Sequence, residues 1–288
     1  MLKWTARAAG ALLALALLFF GLGYWNATRT PEVVAVRLPL AGLPPGREIR
    51  VLQLSDLHFG YLDMGPARLG RIIAQANALK PDLIVLTGDY HGGKLLDKPS
   101  SRLEAALGPL AALRAPLGVF AVTGNHDQPY WTARLLRQQK RPTLLVNRAV
   151  DVGPLAVVGL QSAARGADPA VATAAMAAVP KEKPILLIRH EGDFMPYVPH
   201  PPNPVLVLAG HTHGGQVVLP LLGSIGDHWP APPHCRRGLC RLGDWRVYVS
   251  SGLGTSVLPI RYGVPPEMVL LTLYPAGQPA GRNPSTER

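Results

Sequence analysis

The sequence contains few cysteines and few aromatic residues. Its two cysteines, Cys235 and Cys240, are too few for a site in which thiolates hold zinc. They could form a short disulfide in an oxidising compartment or remain two free thiols, and their spacing leaves both alternatives open. Aromatic residues make up 6% of the chain, which indicates no stacking platform for single-stranded nucleic acid.

Acidic residues are also scarce, with 18 against 29 basic residues and a net charge of +11. The basic residues are dispersed, so nucleic acid is not an expected partner. The excess of basic residues could attract an anionic membrane surface or a phosphate-bearing substrate, or it could reflect the general solubility of an arginine-rich protein. The sequence has neither a Walker-type phosphate loop nor a Gly-x-Ser-x-Gly nucleophile motif, which disfavours two further enzyme classes.

One uncharged stretch, rich in leucine and alanine, runs from Ala8 to Trp25. Its 18 residues are just long enough to cross a bilayer, and Trp4, Tyr24 and Trp25 suit the two interfaces. A cleaved signal peptide is the alternative, but no suitable pair of small residues follows the stretch. We therefore predict one uncleaved anchor, residues 1–27, in the cytoplasmic membrane, and leave open which side carries the catalytic domain.

Beyond the anchor, the chain divides into a connector, one catalytic domain and a tail. Residues 28–48 hold several prolines and predict a connector with one edge strand, while residues 277–288 predict a disordered tail. Residues 49–276 first alternate apolar runs with helical patterns and then become richer in strands. This mixture predicts an α/β fold in which two sheets pack together with helices outside.

Side chains that can bind metals follow five apolar runs, each of which predicts a buried strand. The runs are residues 51–54, 83–86, 119–122, 185–188 and 205–208. Aspartate and histidine favour manganese, iron, zinc or cobalt, and two such ions need a bridging carboxylate. The sequence therefore predicts a metal-dependent enzyme. The polar residues that follow the runs are Asp56, His58, Asp89, Asn125, His126, Asp127, His190, His211 and His213.

In order and spacing, these residues resemble the five motifs of the calcineurin-like metallophosphoesterases. The motifs here are Ser55-Asp56-Leu57-His58, Gly88-Asp89, Gly124-Asn125-His126-Asp127, His190 and Gly210-His211-Thr212-His213. Downstream, Gly214-Gly215-Gln216 and Gly252-Leu253-Gly254-Thr255-Ser256 are similar to a bacterial branch of membrane-associated phosphodiesterases of the YaeI and YkuE type. That branch includes a UDP-2,3-diacylglucosamine pyrophosphatase of lipid A synthesis.

The resemblance implies a four-layer αββα sandwich of two mixed sheets, with two divalent metal ions bound at one end. It implies that Asp89 bridges the ions, that His126 protonates the leaving oxygen, and that Asp127 orients His126. Manganese is the expected metal, with iron or zinc as alternatives. One ion would be held by Asp56, His58 and His213, and the other by Asn125, His190 and His211.

Several residues leave alternatives open. The sequence after His190 departs from the family pattern, and His200 competes with it for the same role, although no predicted strand precedes His200. Arg261 could hold a substrate phosphate or play a structural role. His228 and His234 could line a substrate entrance or lie at the surface as ordinary histidines.

The expected function is hydrolysis of a phosphodiester or pyrophosphate by metal-activated hydroxide. The anchor, the charge and the resemblance favour UDP-2,3-diacylglucosamine as the substrate, cleaved to UMP and lipid X, which requires a cytoplasmic site. The alternative is a broad-specificity phosphodiesterase or phosphatase of the cell envelope, which a disulfide between Cys235 and Cys240 would favour. A non-catalytic metal-binding scaffold is the third alternative, and lost ligands would reveal it. None of the seven ligand positions is lost here.

Overall fold

The computed structural model describes residues 2–60, 62–95, 103–166, 168–225 and 235–277. His228, His234 and the predicted tail from residue 278 onward lie outside these ranges. The helices are α1 (Leu2–Thr28), α2 (Pro66–Ala78), α3 (Leu103–Leu107), α4 (Pro129–Gln139) and α5 (Pro169–Ala177). The strands are β1 (Glu32–Pro39), β2 (Ile49–Leu54), β3 (Leu83–Leu86), β4 (Val119–Ala121), β5 (Thr143–Leu144), β6 (Arg148–Asp151), β7 (Ala156–Gly159), β8 (Ile185–Ile188), β9 (Val205–Ala209), β10 (Val218–Leu219), β11 (Gly223–Ser224), β12 (Gly238–Leu242), β13 (Trp245–Val249) and β14 (Glu267–Tyr274).

These strands form two six-stranded mixed sheets and a small hairpin of β10 and β11. The first sheet has the order β1-β14-β2-β3-β4-β5, and β2 to β5 are parallel to one another. The second has the order β12-β13-β9-β8-β7-β6, with β13, β9, β8 and β7 parallel. Because both sheets have parallel centres, the carboxyl ends of their central strands lie at one edge of each sheet.

Three apolar layers hold the sheets and helices together. Leu52 and Leu86 belong to the layer that the first sheet shares with α2, α3 and α4. Val51 and Leu186 lie in the layer between the two sheets, and Leu187 lies in the layer under α5. Neighbouring residues of a strand thus enter different layers, which explains the continuous apolar runs. The predicted α/β fold, a four-layer αββα sandwich, is confirmed.

Two local features differ from the sequence patterns. The helical pattern of residues 103–113 predicts one helix, but α3 ends at Leu107 and a 3-10 helix follows from Gly108 to Ala112. Pro109 explains the break, because its ring lacks an N–H and crowds the carbonyl one turn earlier. No sequence pattern predicts the edge strand β12, because its outward face carries an exposed apolar residue, Leu239, which interrupts the alternation of polar and apolar residues.

Helix α1 is long and apolar enough to cross a membrane, and its last turns contact the catalytic domain. The Phe19 ring stacks on Tyr262, with ring centroids 4.6 Å apart. The Gly23 carbonyl accepts a hydrogen bond from the Arg261 N–H at 3.0 Å. A Cβ atom at Gly23 would lie 2.7 Å from the Tyr262 ring, so the close approach of this helix requires glycine.

Candidate metal centre

The candidate ligands lie in the loops that follow five strands of the two sheets. In the first sheet, β2, β3 and β4 precede three of these loops, and in the second sheet β8 and β9 precede the other two. The two sheets pack face to face, so their loops meet at one edge of the sandwich. The structure brings all seven predicted ligands together there, namely Asp56, His58, Asp89, Asn125, His190, His211 and His213.

The first group of ligand atoms comes from Asp56, His58 and His213, all of which are buried. Nε2 of His58 lies 3.0 Å from Nε2 of His213, which lies 3.5 Å from Oδ1 of Asp56. Nδ1 of His58 donates a hydrogen bond to the Gly92 carbonyl at 2.7 Å, so the lone pair of its other nitrogen faces the group. The three side chains therefore converge on one point.

The second group comes from Asn125, His190 and His211. Oδ1 of Asn125 lies 3.0 Å from Nε2 of His190 and 2.9 Å from Nδ1 of His211. Nδ1 of His190 donates to the Thr87 carbonyl at 2.7 Å, which fixes this ring as the Gly92 carbonyl fixes that of His58. An amide oxygen and two imidazoles thus form a second convergent set beside the first.

One oxygen of Asp89 lies between the two groups. Its Oδ2 is 3.1 Å from Nε2 of His190 and 3.5 Å from Nε2 of His58. A carboxylate oxygen of Asp56 also lies within 4.8 Å of the ligand atoms of Asp89 and His190, so both carboxylates face the space between the groups. A carboxylate in this position suits a pair of ions that share one ligand.

Most of the pKa shifts at the site favour the forms of these residues that bind cations, whereas burial raises the pKa of Asp56. Burial lowers the pKa of His58, His211 and His213, which favours the neutral rings that metals require. Burial alone would raise the pKa of Asp89, but His190 outweighs it and lowers that pKa. The same pairing raises the pKa of His190 against the effect of burial. Asp89 therefore attracts positive charge to the place where a metal would bind, and the donor set fits two divalent ions.

The backbone of the site adopts conformations that are rare for residues other than glycine. A positive φ in a non-glycine residue is uncommon and tends to occur at functional sites. Gly124 is required for a related reason, since a Cβ atom there would lie 2.1 Å from Oδ1 of Asp89. Five predicted ligands have a positive φ, namely Asp56 (52°), His58 (41°), Asp89 (55°), His211 (76°) and His213 (51°).

His126 lies at the exposed mouth of the site. Its ring centroid is 5.3 Å from that of His58, and its backbone N–H donates to Oδ1 of Asp89 at 2.9 Å. Across the described ranges the His126 ring has no hydrogen-bond partner. The side chain that the sequence assigned to catalysis is therefore close to the metal ligands and free to face a substrate.

Asp127 has different hydrogen-bond partners from the one that the family resemblance implies. Its carboxylate accepts backbone N–H bonds from Asp89 at 2.9 Å, Tyr90 at 2.9 Å and Gly124 at 2.8 Å. Within the part of the chain that the structure describes, it makes no hydrogen bond to the His126 ring. Burial, together with the Asp89 charge, raises the pKa of Asp127 to about 7. Asp127 thus holds the loop that carries Asp89.

The structure also separates the competing candidates. His200 is exposed and lies against Trp245, with ring centroids 4.6 Å apart, whereas His190 is in the cluster. Arg261 is fully buried, and its Nη2 donates to the Ser251 carbonyl at 2.8 Å and lies 3.4 Å from Nδ1 of His213. Arg261 therefore stabilises the loops next to His213.

A buried polar network outside the sequence-based prediction links the sheets below the site. Nε2 of Gln53 in β2 donates to the carbonyl of Ala209 in β9 at 2.8 Å. The Thr87 hydroxyl donates to Ser55 at 2.6 Å, and Ser55 donates to Asp56 at 2.5 Å. The available signal was Gln53 itself, a polar residue inside an apolar run. Buried polar groups of this kind are normally hydrogen-bonded.

Cys235 and Cys240 form a disulfide, with Cα atoms 5.8 Å apart. The loop that they close adjoins the metal centre, because the Thr212 hydroxyl donates to the Arg236 carbonyl at 2.5 Å. Thr212 lies between two predicted ligands. The structure thus settles the pairing that the spacing left open.

Comparison with known proteins agrees with this site. Residues 49–215 match the calcineurin-like phosphoesterase family model. The chain belongs to the calcineurin-like phosphoesterase family. It is 30% identical over 287 residues to the uncharacterized metallophosphoesterase YkuE of Bacillus subtilis, with 93% of each chain covered. It is also 30% identical over 287 residues to a transmembrane protein with metallophosphoesterase domain from Danio rerio, with 88% of this chain covered.

The chain spans 60% of the length of that fish relative. A solved structure, TT1561 of Thermus thermophilus, is 16% identical with a TM-score of 0.45, and the match covers 72% of this chain and 91% of that one. Family membership confirms the resemblance, and the relatives that match this chain carry the name metallophosphoesterase. The clustered histidines and aspartates indicate a site for two metals.

Proposed function

We propose that this phosphoesterase is anchored in a membrane by α1 and hydrolyses phosphodiester or pyrophosphate bonds at a centre of two divalent ions. The observation that carries the proposal is the position of Oδ2 of Asp89, which faces ring nitrogens of both groups, His58 and His190. A single metal would leave one of these groups without a function. The transmembrane relative from Danio rerio supports the anchor.

Each side chain has a proposed role in this scheme. Bound ions would lower the pKa of water and neutralise the phosphoryl oxygens. Manganese is the expected metal, and iron or zinc would suit the same ligands. Asp89 would bridge the ions, Asp56, His58 and His213 would hold the first, and Asn125, His190 and His211 would hold the second.

His126 would donate the proton to the leaving oxygen. Its ring is exposed beside His58, and its backbone N–H donates to Asp89, so the ring lies next to the proposed metal ligands. A general acid must reach the leaving group within hydrogen-bond distance. No other exposed histidine of the described chain lies this close to the metal ligands.

The disulfide of Cys235 and Cys240 supports a catalytic domain in an oxidising compartment, since such bonds are rare in the cytosol. This favours a phosphodiesterase or phosphatase of the cell envelope over hydrolysis of UDP-2,3-diacylglucosamine, which needs a cytoplasmic site. A phosphate-containing substrate, with or without a lipid portion, is the expected partner in either case.

The test is hydrolysis by the full chain in detergent with Mn²⁺. Bis-p-nitrophenyl phosphate and UDP-2,3-diacylglucosamine would be compared in the wild type and in the Asp89→Ala, His126→Ala and His200→Ala variants. We expect metal-dependent cleavage of the diester, lost in the first two variants and retained in the third. Release of UMP from the lipid would restore the lipid A assignment. Absence of metal-dependent cleavage of either compound would refute the proposed activity.

A further inference from the structure

Six large apolar side chains are exposed on four loops around the mouth of the metal centre. We call this set the apolar collar. Exposed large apolar side chains that gather on neighbouring loops can mark a contact with a partner or a membrane. The members, with their exposed fractions, are Leu62 (47%), Leu95 (70%), Leu221 (105%), Leu222 (72%), Val257 (56%) and Leu258 (38%).

Two collar residues belong to the wall of the catalytic site. The N–H of Leu95 donates to the Val257 carbonyl at 3.0 Å, and the N–H of Val257 donates to the Gly93 carbonyl at 2.7 Å. A Cβ atom at Gly93 would lie 2.8 Å from the His58 ring and 3.3 Å from the His126 ring. The stretch from Gly93 to Leu95 therefore packs against the rings of His58 and His126, while the Leu95 side chain is exposed.

Two other parts of the apolar collar are linked to helix α1, Leu62 directly and the hairpin of β10 and β11 through Tyr262. The Tyr24 hydroxyl donates to the Leu62 carbonyl at 2.5 Å, and the Tyr262 hydroxyl donates to the Phe19 carbonyl. The hairpin of β10 and β11 is held to the same loop, because the N–H of Val218 donates to the Tyr262 carbonyl at 2.9 Å. Leu221 and Leu222 form the turn of that hairpin.

The length of α1 fixes how deep these loops lie. An uncharged stretch of 18 residues, from Ala8 to Trp25, is about 27 Å long as a helix, which is close to the roughly 30 Å of a bilayer core. If Trp25 lies at one interface, Phe19 lies about 9 Å closer to the middle of the bilayer. Tyr262 contacts Phe19, so its loop must reach at least the interface.

We propose that the apolar collar is embedded in the interface of the membrane that α1 crosses, so that the metal centre opens onto the layer of lipid headgroups. The proposal rests on the membrane anchor of the proposed function, but not on its catalytic activity. A bilayer fits better than a second protein, because the contacts of Phe19 and Tyr24 place the collar loops beside the membrane-spanning helix. The net charge of +11 adds attraction to anionic lipids.

The experiment measures the depth of single positions in vesicles. Because both native cysteines are in a disulfide, a new cysteine can carry a fluorescent label alone. Full-length Leu95→Cys and Leu222→Cys variants would report on the collar, and Leu13→Cys would report on α1. The matched control is Glu182→Cys, which precedes β8 at the end opposite the metal centre. The labelled proteins would be reconstituted in phosphatidylethanolamine–phosphatidylglycerol vesicles with lipids brominated on their acyl chains.

We expect clear bromine quenching at both collar positions, weaker than at Leu13 because the collar lies in the interface, and none at Glu182. If Leu13 is quenched while Leu95 and Leu222 behave like Glu182, the collar lies in water and the inference is overturned, although the anchor stands. If no position is quenched, α1 is not an anchor, and both the inference and that part of the proposed function fail. Metal content equal to that of the wild type would verify that each variant is folded.

Discussion

The two sheets of this phosphoesterase supply different atoms to the same site. Loops of the first sheet contribute both carboxylates, Asp56 and Asp89, together with an amide oxygen and one imidazole. Loops of the second sheet contribute only imidazoles, on His190, His211 and His213. Carboxylates can share one oxygen between two ions, whereas a neutral imidazole presents a single lone pair to one ion.

This difference indicates that neither sheet alone forms the site. In the proposed scheme, the first sheet would supply the negative charge that attracts two cations, and the second would complete the coordination of each. The Gln53 side chain joins the two sheets directly below the ligands. Substitutions in the two sheets should therefore have distinct effects on metal content and on activity.

Removing the shared carboxylate of the first sheet should have the largest effect. If Asp89 bridges the ions as proposed, both would lose a ligand in Asp89→Ala, and we expect diester hydrolysis to fall by roughly 10³-fold, or about 4 kcal/mol of transition-state stabilisation. Asp151→Ala is the control, because that carboxylate is exposed and paired with Lys183. Steady-state kinetics with excess Mn²⁺ would measure both. Equal activity of the two variants would contradict a shared ligand.

Removing an imidazole of the second sheet should affect one ion only. We expect His211→Ala to bind one ion per chain instead of two, with the affinity for the second ion reduced by more than about 100-fold, since even an outer hydrogen-bond partner contributes 10–100-fold. Metal analysis after gel filtration would measure the number of ions bound per chain. His200→Ala should retain both ions, and loss of both ions from His211→Ala would show that the groups are not separable.

Substitution of Asp127 should have a smaller effect, and it tests whether the Asp127 carboxylate holds the loop that carries Asp89. Asparagine can accept fewer of the three backbone N–H bonds that Asp127 receives. In Asp127→Asn we expect weaker metal binding and a loss of about 1–3 kcal/mol in the free energy of unfolding. If Asp127 instead orients the His126 ring, metal affinity would stay at the wild-type value while the pH profile of hydrolysis changes. Metal titration and chemical denaturation distinguish these outcomes.

The disulfide beside the second sheet should have the smallest effect. The double variant Cys235→Ser, Cys240→Ser loses the bond that closes a short loop. This bond contributes about 2 kcal/mol to the free energy of unfolding. We expect lower thermal stability with hydrolysis of the soluble diester retained. Wild-type protein in reductant should unfold at the temperature of the variant. A variant that unfolds like oxidised wild type would show that the pair does not stabilise the fold.

Much of the site could be predicted because its signals are local. Each ligand follows an apolar run, and the carboxyl ends of parallel strands meet at one edge. His190 could be preferred to His200 on the same ground, because only His190 ends such a run. The layered α/β fold followed from the alternation of strands and helices.

Other features depend on contacts that no local pattern encodes. The family resemblance implies that Asp127 orients His126, but a buried carboxylate accepts hydrogen bonds from whichever N–H groups the fold brings near, here those of Asp89 and Tyr90. The pairing of β1 with β14 joins two strands from opposite ends of the chain. The contact of α1 with Tyr262 is equally remote in sequence.

The short link between helix and sheet has a kinetic consequence. Only three residues, Arg29 to Pro31, separate α1 from β1, and β1 pairs with β14 along its whole length. Such a link spans roughly 10 Å, so the catalytic domain cannot move far from the end of α1. With α1 in a bilayer, the enzyme would search for lipid substrates in two dimensions. Its rate would then follow the mole fraction of substrate in the membrane and not the concentration in the surrounding volume.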